Sequence, residues 1–150
     1  MPSPVAMVTT TSLLTYEILK NAGLKVHLAG NIGKSFAACV NDDPDQYYVI
    51  EVSSFQLDDI KTFKPNIAIL TNITPDHLDR YNYQMENYVK SKFSICKNQD
   101  PKDYFIYCND DEEILKAIQK EKINSQTIPF SLEKKAEYGA WLDEANHIQI

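Results

Sequence analysis

The sequence predicts an α/β fold, with a mostly parallel sheet covered by helices on both faces. Short apolar runs of strand length alternate with segments of helical spacing along most of the chain. The runs are apolar at nearly every position, which is typical of strands buried on both faces. Near the C-terminus, two short runs flank a polar turn and predict a small β-hairpin. The sequence ends inside the second of these runs, so we expect an incomplete domain.

The bulk composition narrows the class of protein. At 150 residues, 43% of them apolar, the chain is long enough for one domain with a real core. A net charge of −6 disfavours nonspecific nucleic-acid binding. The three cysteines are widely spaced without a CxxC pair, which indicates buried thiols in a reducing compartment. No run has membrane-spanning length and no signal peptide is visible, so we expect a cytoplasmic protein with neither nucleic-acid nor membrane partners.

The first half of the chain is assigned from local pattern. Residues 1–8 contain two prolines and no clear period, which predicts a short strand or a non-native remnant. Leucines and isoleucines at helical spacing predict a helix over 9–22, and Gly23 supplies its stop. The next predicted elements are a strand at 25–29, a turn at 30–33, a helix at 34–41, a strand at 47–52 and a short, partly helical segment at 53–62.

The second half begins with an apolar strand at 67–70, which Thr71, Asn72 and Pro75 stop. A helix is predicted over 83–97, because an apolar stripe recurs there at helical spacing; it consists of Met85, Tyr88, Val89, Phe93 and Cys96. The remaining predicted elements are a strand at Tyr104–Cys108, a helix that Asn109, Asp110 and Asp111 cap and that runs to about Lys120, a strand at 126–130 and the hairpin of 140–142 and 147–150.

Polar side chains stand at the ends of three predicted strands: Asn31, Glu51 and His77. In a parallel sheet these ends lie on one edge, where ligands bind. A carboxylate and an imidazole are suitable ligands for a divalent cation. Each residue also has a structural interpretation, since a strand-end glutamate is often solvated or caps a neighbour and a lone histidine is often only hydrogen-bonded.

Two further features strengthen the functional interpretation. Asp76, His77, Asp79 and Arg80 crowd directly after a buried strand, although Asp79 and Arg80 also suit a simple ion pair. Lys92 lies on the apolar stripe of the next helix, where a lysine is costly unless it has a partner or a modified charge. Together, the polar strand ends, the charged segment and Lys92 favour a ligand-binding site, although none of these residues alone does.

The ordered motifs resemble the central ATPase domain of the Mur ligase family. The resemblance covers residues 9–150 and is closest to the D-glutamate-adding member, through the Glu-Val-Ser-Ser-Phe-Gln-Leu segment that begins at Glu51. The motifs are Gly30-Asn31-Ile32-Gly33, then 50–57, then Leu-Thr-Asn-Ile-Thr-Pro-Asp-His-Leu-Asp-Arg-Tyr at 70–81, then Ser91-Lys92. The fold that this resemblance implies is P-loop NTPase-like.

The resemblance implies ATP-dependent amide-bond formation in peptidoglycan precursor synthesis, with Mg²⁺ and ATP as cofactors. ATP phosphorylates the carboxylate of UDP-N-acetylmuramoyl-L-alanine, and the amine of D-glutamate attacks the acyl phosphate. By the same resemblance, Glu51 and His77 hold Mg²⁺, and Lys92 is carbamylated and joins them as a ligand. His77 and Lys92 are the implied catalytic residues, and Asn31 and Ser53 contact the muramoyl substrate. The other charged residues of the 76–80 segment have supporting roles.

The chain departs from the family pattern at its start. Mur ligases carry a Gly-x-x-Gly-Lys-Thr/Ser loop that cradles ATP phosphates, and no such loop precedes Thr9 here. Thr9 falls on the family's Mg²⁺-binding Ser/Thr position, whereas Val8 replaces the lysine. We therefore divide the chain into a segment 1–8 without the loop and a partial central domain 9–150. We expect no ligase turnover from the 150-residue chain alone, and we expect that this chain can self-associate.

Two other classes remain open from the sequence. A folylpolyglutamate synthetase-type ligase shares the architecture and the lysine carbamate, although the Ser-Ser-Phe-Gln-Leu segment at 53–57 argues against it. A non-catalytic α/β interaction module would keep the sheet and lack the phosphate loop. In a third interpretation the polar strand ends only satisfy one another, which predicts no metal binding.

Overall fold

A computed structural model describes residues 4–42, 47–135 and 137–150, with side chains described from residue 9 onward. The chain forms two compact units, Met1–Ser53 and Ser54–Ile150. The strands predicted from sequence are present within one or two residues of their expected bounds. The α/β class, the mostly parallel strands and the C-terminal hairpin are confirmed.

The first unit consists of two helices and two parallel strands. Its elements are α1 (Pro4–Asn21), β1 (Val26–Gly30), α2 (Phe36–Asp42) and β2 (Tyr47–Glu51). Strands β1 and β2 pair in parallel with Gly30 opposite Glu51, so their carboxyl ends lie side by side. Helix α1 ends in a Schellman motif: Gly23 has φ +81°, Gly23 N donates to Lys20 O and Leu24 N donates to Leu19 O.

The start of α1 corrects one sequence expectation. Residues 4–8 are helical, so the alternative of a short strand there is wrong, and residues 1–3 lie outside the described residues. Proline suits the first helical position because its fixed φ matches the helix and its missing N–H has no intrahelical partner there. Ser3 followed by Pro4 is therefore the sequence signal that the periodicity argument overlooked.

The turn after β1 requires glycine for a steric reason. Gly30 has φ +99°, and a Cβ there would lie 2.2 Å from the backbone oxygen of Glu51. Gly33 has φ +77°, and a Cβ there would lie 2.3 Å from Leu28 O. The two glycines let the chain fold back tightly, with Lys34 N donating to Leu28 O at 3.2 Å. The turn leaves Asn31 beside the end of β2.

The second unit contains a five-stranded sheet in the order β3-β4-β5-β6-β7. The first four strands run parallel and the last pair is antiparallel. The elements are α3 (Ser54–Leu57), β3 (Ile67–Leu70), a 3₁₀ helix (Leu78–Tyr81), α4 (Met85–Phe93), a 3₁₀ turn (Ser94–Cys96), β4 (Tyr104–Cys108), α5 (Glu112–Ile118), β5 (Gln126–Ser131), β6 (Ala140–Leu142) and β7 (Ile148–Gln149).

The core of the second unit lies between this sheet and helices α4 and α5. Phe105 of β4 and Ile114 of α5 are fully buried, and the Phe93 ring of α4 packs edge-on against Phe105 at 5.7 Å between centroids. The apolar stripe predicted on α4 faces this core, which confirms the stripe. Because the stripe faces the core, it fixes the rotation of α4 about its axis. That rotation sets the directions in which the other α4 side chains, including that of Lys92, can point.

The helix predicted over 83–97 is shorter than expected. Helix α4 begins at Met85, because Asn82 and Tyr83 have φ of +54° and +56° and cannot continue a right-handed helix. After Phe93 the chain tightens into the 3₁₀ turn Ser94–Cys96. The helix predicted to reach Lys120 likewise ends at Ile118. Across the residues that the structure describes, no helix combines the length and apolar character needed to span a membrane.

Candidate functional site

Glu51 is the most unusual residue of the first unit. It ends β2 and is only 5% exposed, and its buried Oε2 has no hydrogen-bond partner among the residues that the structure describes. Asn31 lies beside it, since Asn31 N donates to Glu51 O at 2.9 Å, while the Asn31 residue itself is exposed. The structure therefore brings two predicted site residues together at the carboxyl ends of β1 and β2.

A buried carboxylate oxygen without a partner is rare in folded proteins, because its desolvation is uncompensated. A bound cation would supply the missing interaction, and carboxylate oxygen is the ligand that Mg²⁺ prefers. The donor chemistry of Glu51 thus fits the divalent ion that the sequence implied. In the described part of the chain, no three His, Cys, Asp or Glu side chains form a cluster that could hold a metal. The predicted ligand set contains only two residues of those types.

His77 follows β3 in the second unit and has a left-handed backbone, with φ +49°. Its side chain is 65% exposed, and its Nε2 lies 3.6 Å from Asp76 Oδ2. That distance exceeds a hydrogen bond but allows the carboxylate to attract and orient the ring. A left-handed conformation costs a non-glycine residue about 1–2 kcal/mol, so the surrounding structure must hold it.

A surface depression of about 270 Å³ adjoins His77. Phe55, His77, Asp79 and Arg80 line it. The Arg80 guanidinium lies 5.0 Å from the centroid of the Phe55 ring, in cation–π range. The expected ion pair between Asp79 and Arg80 is not among the ion pairs of the described residues, because Arg80 extends over Phe55 instead. The depression combines a cation, an imidazole and an aromatic face.

Lys92 lies half-buried on α4, as the stripe predicted. Its Nζ is 5.1 Å from the centroid of the Tyr88 ring. Burial lowers the pKa of Lys92, while the negative charges of Asp76 and Asp111 act in the opposite direction. Burial also raises the pKa of Tyr88 to about 12, with smaller contributions from Asp76 and Tyr81. The Lys92 amine is therefore easier to deprotonate than an exposed lysine, which makes it a better nucleophile at neutral pH.

Asp111 joins the segment before His77 to helix α5. Its Oδ1 accepts from Ile114 N at 3.0 Å, which is the helix cap predicted from sequence. Its Oδ2 accepts from Ile73 N at 2.7 Å, and Ile73 is 3% exposed. Both carboxylate oxygens are thus used, and the backbone that leads to His77 is tied to the start of α5.

The two remaining predicted site residues belong to the first unit. Thr9 lies inside α1, about one and a half turns from Pro4, so it does not stand at a helix N-terminus where phosphate binds best. Ser53 is half-buried and follows β2 after Val52. The structure thus joins Asn31 with Glu51 in one unit and His77 with the Lys92 neighbourhood in the other. A single site made by both sets stays a prediction.

Sequence reasoning missed a partly buried polar network in the second unit, in which Ser91 and Tyr81 are buried and Asp58 is exposed. Ser91, Asp58 and Tyr81 hydrogen-bond to one another although they stand 10 to 33 positions apart. The one available signal was Ser91 itself, a polar residue directly before the lysine on a helix that faces the core.

The fold and this arrangement of strand ends agree with a specific family. The chain matches the Mur ligase middle domain over residues 8–149 and belongs to that family. Among curated relatives it is 51% identical over 138 residues to the UDP-N-acetylmuramoylalanine–D-glutamate ligase of Christiangramia forsetii. The ligases of the same name from Bacteroides fragilis and Caldanaerobacter subterraneus subsp. tengcongensis are 50% and 42% identical over 136 and 137 residues.

The matched region is most of this chain but a minor part of each relative. It covers 92% of the chain and 31% of the Christiangramia forsetii ligase, and 91% of the chain and 31% of the Bacteroides fragilis ligase. For the Caldanaerobacter ligase the two shares are 91% and 30%. The chain thus spans less than a third of the length of these relatives.

Proposed function

We propose that this chain is the middle-domain segment of a cytoplasmic UDP-N-acetylmuramoyl-L-alanine–D-glutamate ligase. Such an enzyme joins D-glutamate to the muramoyl nucleotide at the expense of ATP, through an acyl phosphate. The observation that carries the proposal is the 51% identity to a ligase of that name over 92% of the chain. Free cysteines at Cys39, Cys96 and Cys108 agree with a reducing compartment.

The proposed role of Glu51 and His77 is to hold a divalent ion. The unpartnered Oε2 of Glu51 supports this role, since it lacks any partner that a structural interpretation would supply. Asp76 is the carboxylate beside the His77 ring, with its Oδ2 3.6 Å from His77 Nε2. A divalent ion at this position would neutralise charge on the phosphoryl group being transferred from ATP. Thr9 is proposed as a further ligand near the ATP phosphates.

Lys92 is proposed to carry a carbamate. The Lys92 ammonium first loses one proton to solvent, and the neutral amine then attacks CO₂. A C–N bond forms as one C=O π bond of CO₂ opens, and a second proton leaves the nitrogen, so that a cation becomes an anion. The lowered pKa of Lys92 supports this, because only the deprotonated amine reacts. The resulting carboxylate-like group could bind or orient the same cation that Glu51 holds. Asn31 and Ser53 are proposed to contact the muramoyl substrate near its reacting carboxylate.

The experiment is a chimera, because this segment alone is expected to be inactive. The matching 138 residues of the Christiangramia forsetii ligase are replaced by those of this chain, and ADP release is measured with ATP, D-glutamate and the muramoyl nucleotide. We expect turnover that needs both substrates and that Lys92→Ala or His77→Ala reduces at least about 100-fold. The exposed Lys90→Ala, on the same helix, is the matched control.

A chimera that folds and binds ATP but releases no ADP would refute the proposal. Turnover with a folate substrate in place of the muramoyl nucleotide would instead identify the folylpolyglutamate synthetase type. Turnover by the isolated 150-residue chain would overturn the expectation that the segment is inactive alone.

A further inference from the structure

Ser91 lies where three segments of the second unit meet. The residue is 6% exposed, and its Oγ donates to Ser54 O at 2.8 Å. The same Oγ is 2.5 Å from Asp58 Oδ1 and 3.1 Å from the Tyr81 hydroxyl. Ser91 has one hydroxyl proton, which the acceptors Ser54 O and Asp58 Oδ1 share, whereas either hydroxyl can be the donor between Ser91 and Tyr81. The contacts therefore depend on one another. Helix α3, the 3₁₀ helix after His77, and α4 are thus joined at one atom.

Tyr81 extends this network toward Lys92. It is 7% exposed, and its hydroxyl donates to Asp58 Oδ2 at 3.3 Å. Its ring packs against the Tyr88 ring with 5.4 Å between centroids, and Lys92 Nζ lies over the Tyr88 ring. A continuous set of contacts therefore runs from Asp58 through the two tyrosines to the Lys92 amine.

The same network holds a strained segment. His77, Asn82 and Tyr83 all have positive φ and flank the 3₁₀ helix Leu78–Tyr81. Non-glycine residues keep such conformations only where tertiary contacts fix them. Tyr81 is the buried residue of that 3₁₀ helix. Its hydrogen bonds to Asp58 and Ser91 therefore tie the segment that begins at His77 to α3 and α4.

We propose that Asp58, Tyr81 and Ser91 are positioning residues that fix His77 and Lys92 relative to each other. The catalytic meaning of this role rests on the proposed function. None of the three side chains is proposed to contact a reacting atom. Ser91 acts through the helix that carries Lys92, and Tyr81 acts through the 3₁₀ helix that follows His77.

The first test is NMR of the full 150-residue chain labelled with ¹³C at lysine Cε and histidine Cε1. Tyr81→Phe removes one hydroxyl and Ser91→Ala removes the other, and each should shift both the Lys92 and the His77 resonances. Amide exchange across residues 77–82 should accelerate at least about tenfold. Ser91→Thr, which keeps the hydroxyl, should restore both signals. Unchanged resonances and exchange in both deletion variants would overturn the proposal.

Matched controls are available beside each member of the network. Ser94 directly follows α4, the helix that carries Ser91. In the described part of the chain, its Oγ donates to Lys90 O at 3.2 Å and takes no part in the network. Tyr83 is 78% exposed, and Asp59 is exposed next to Asp58. Ser94→Ala, Tyr83→Phe and Asp59→Asn should leave the Lys92 and His77 resonances in place. Shifts of equal size in these controls would mean that the probes report general loosening, which would also overturn the proposal.

The second test uses the chimeric ligase. Ser91→Ala and Tyr81→Phe should lower kcat about 10- to 100-fold, with KM for both substrates within about twofold of the unsubstituted chimera. A parallel rise in KM with unchanged kcat would refute positioning of the reacting groups. If the unsubstituted chimera is inactive, the proposed function fails, whereas the NMR result still decides the positioning role.

Discussion

The buried carboxylate of Glu51 gives a direct test at the scale of one residue. Its Oε2 lacks a partner, so removing the polar group should relieve an uncompensated desolvation. In metal-free buffer, Glu51→Leu should raise the free energy of unfolding in urea by about 1 kcal/mol. Glu51→Gln keeps the shape and a polar group, and should gain less. A loss of more than about 1 kcal/mol for both would mean that Glu51 has a stabilising partner.

Lys92 provides a pH test of the same kind. Its pKa is lowered on folding, so between that lowered value and 10.5 the unfolded state binds more protons than the folded state. The free energy of unfolding contributed by Lys92 therefore rises with pH across this window. Urea unfolding in CO₂-free buffers should show that Lys92→Met lacks this rise, whereas the exposed Lys90→Met retains it. Parallel pH profiles for wild type and Lys92→Met would contradict the burial of the amine.

A site residue could be predicted from the sequence only where a local pattern marks it. Glu51 and Lys92 were found because a charge at the end of an apolar run, or within an apolar stripe, is visible in one dimension. Both prove to be buried or half-buried in the structure. Ser91 and Asp58 were missed because their contact joins positions 33 apart, and no local pattern reports such a pair.

At the scale of elements, the start of α5 shows a cap with a second role. Asp111→Ala should lower the free energy of unfolding by about 2 kcal/mol, because it leaves both Ile114 N and Ile73 N without their acceptor. Asp111→Ser should keep the helix cap but is too short to reach both partners. Hydrogen exchange should then show a protected α5 and a faster Ile73 amide. If the Ile73 amide is protected equally in Asp111→Ser and in the wild-type chain, the hydrogen bond from Ile73 N to Asp111 does not hold this segment to α5.

The element boundaries were predicted well where local chemistry sets them. Gly23 ends α1 as expected, since a left-handed residue is needed there and glycine supplies it cheaply. The boundary at Met85 was missed because Asn82 and Tyr83 adopt left-handed conformations that tertiary contacts impose, against the preference of tyrosine. The periodicity of α4 is genuine, but periodicity alone does not report where a backbone leaves the helix.

At the scale of the whole molecule, the alternating pattern gave the class and the strand directions. It did not give which strands pair, because parallel pairing joins segments far apart in sequence. The structure divides the strands between a two-stranded and a five-stranded sheet. We propose that Glu51, His77 and Lys92 together support a divalent ion for phosphoryl transfer.

Titration of the 150-residue chain with Mn²⁺, with and without bicarbonate, tests that claim most directly. We expect saturable binding that Glu51→Gln, His77→Ala and Lys92→Ala each weaken at least about tenfold. Bicarbonate should tighten binding to the wild-type chain and leave Lys92→Ala unchanged, because that variant lacks the amine that is proposed to form the carbamate. Binding of equal affinity in all four proteins, or no saturable binding in any of them, would contradict the account.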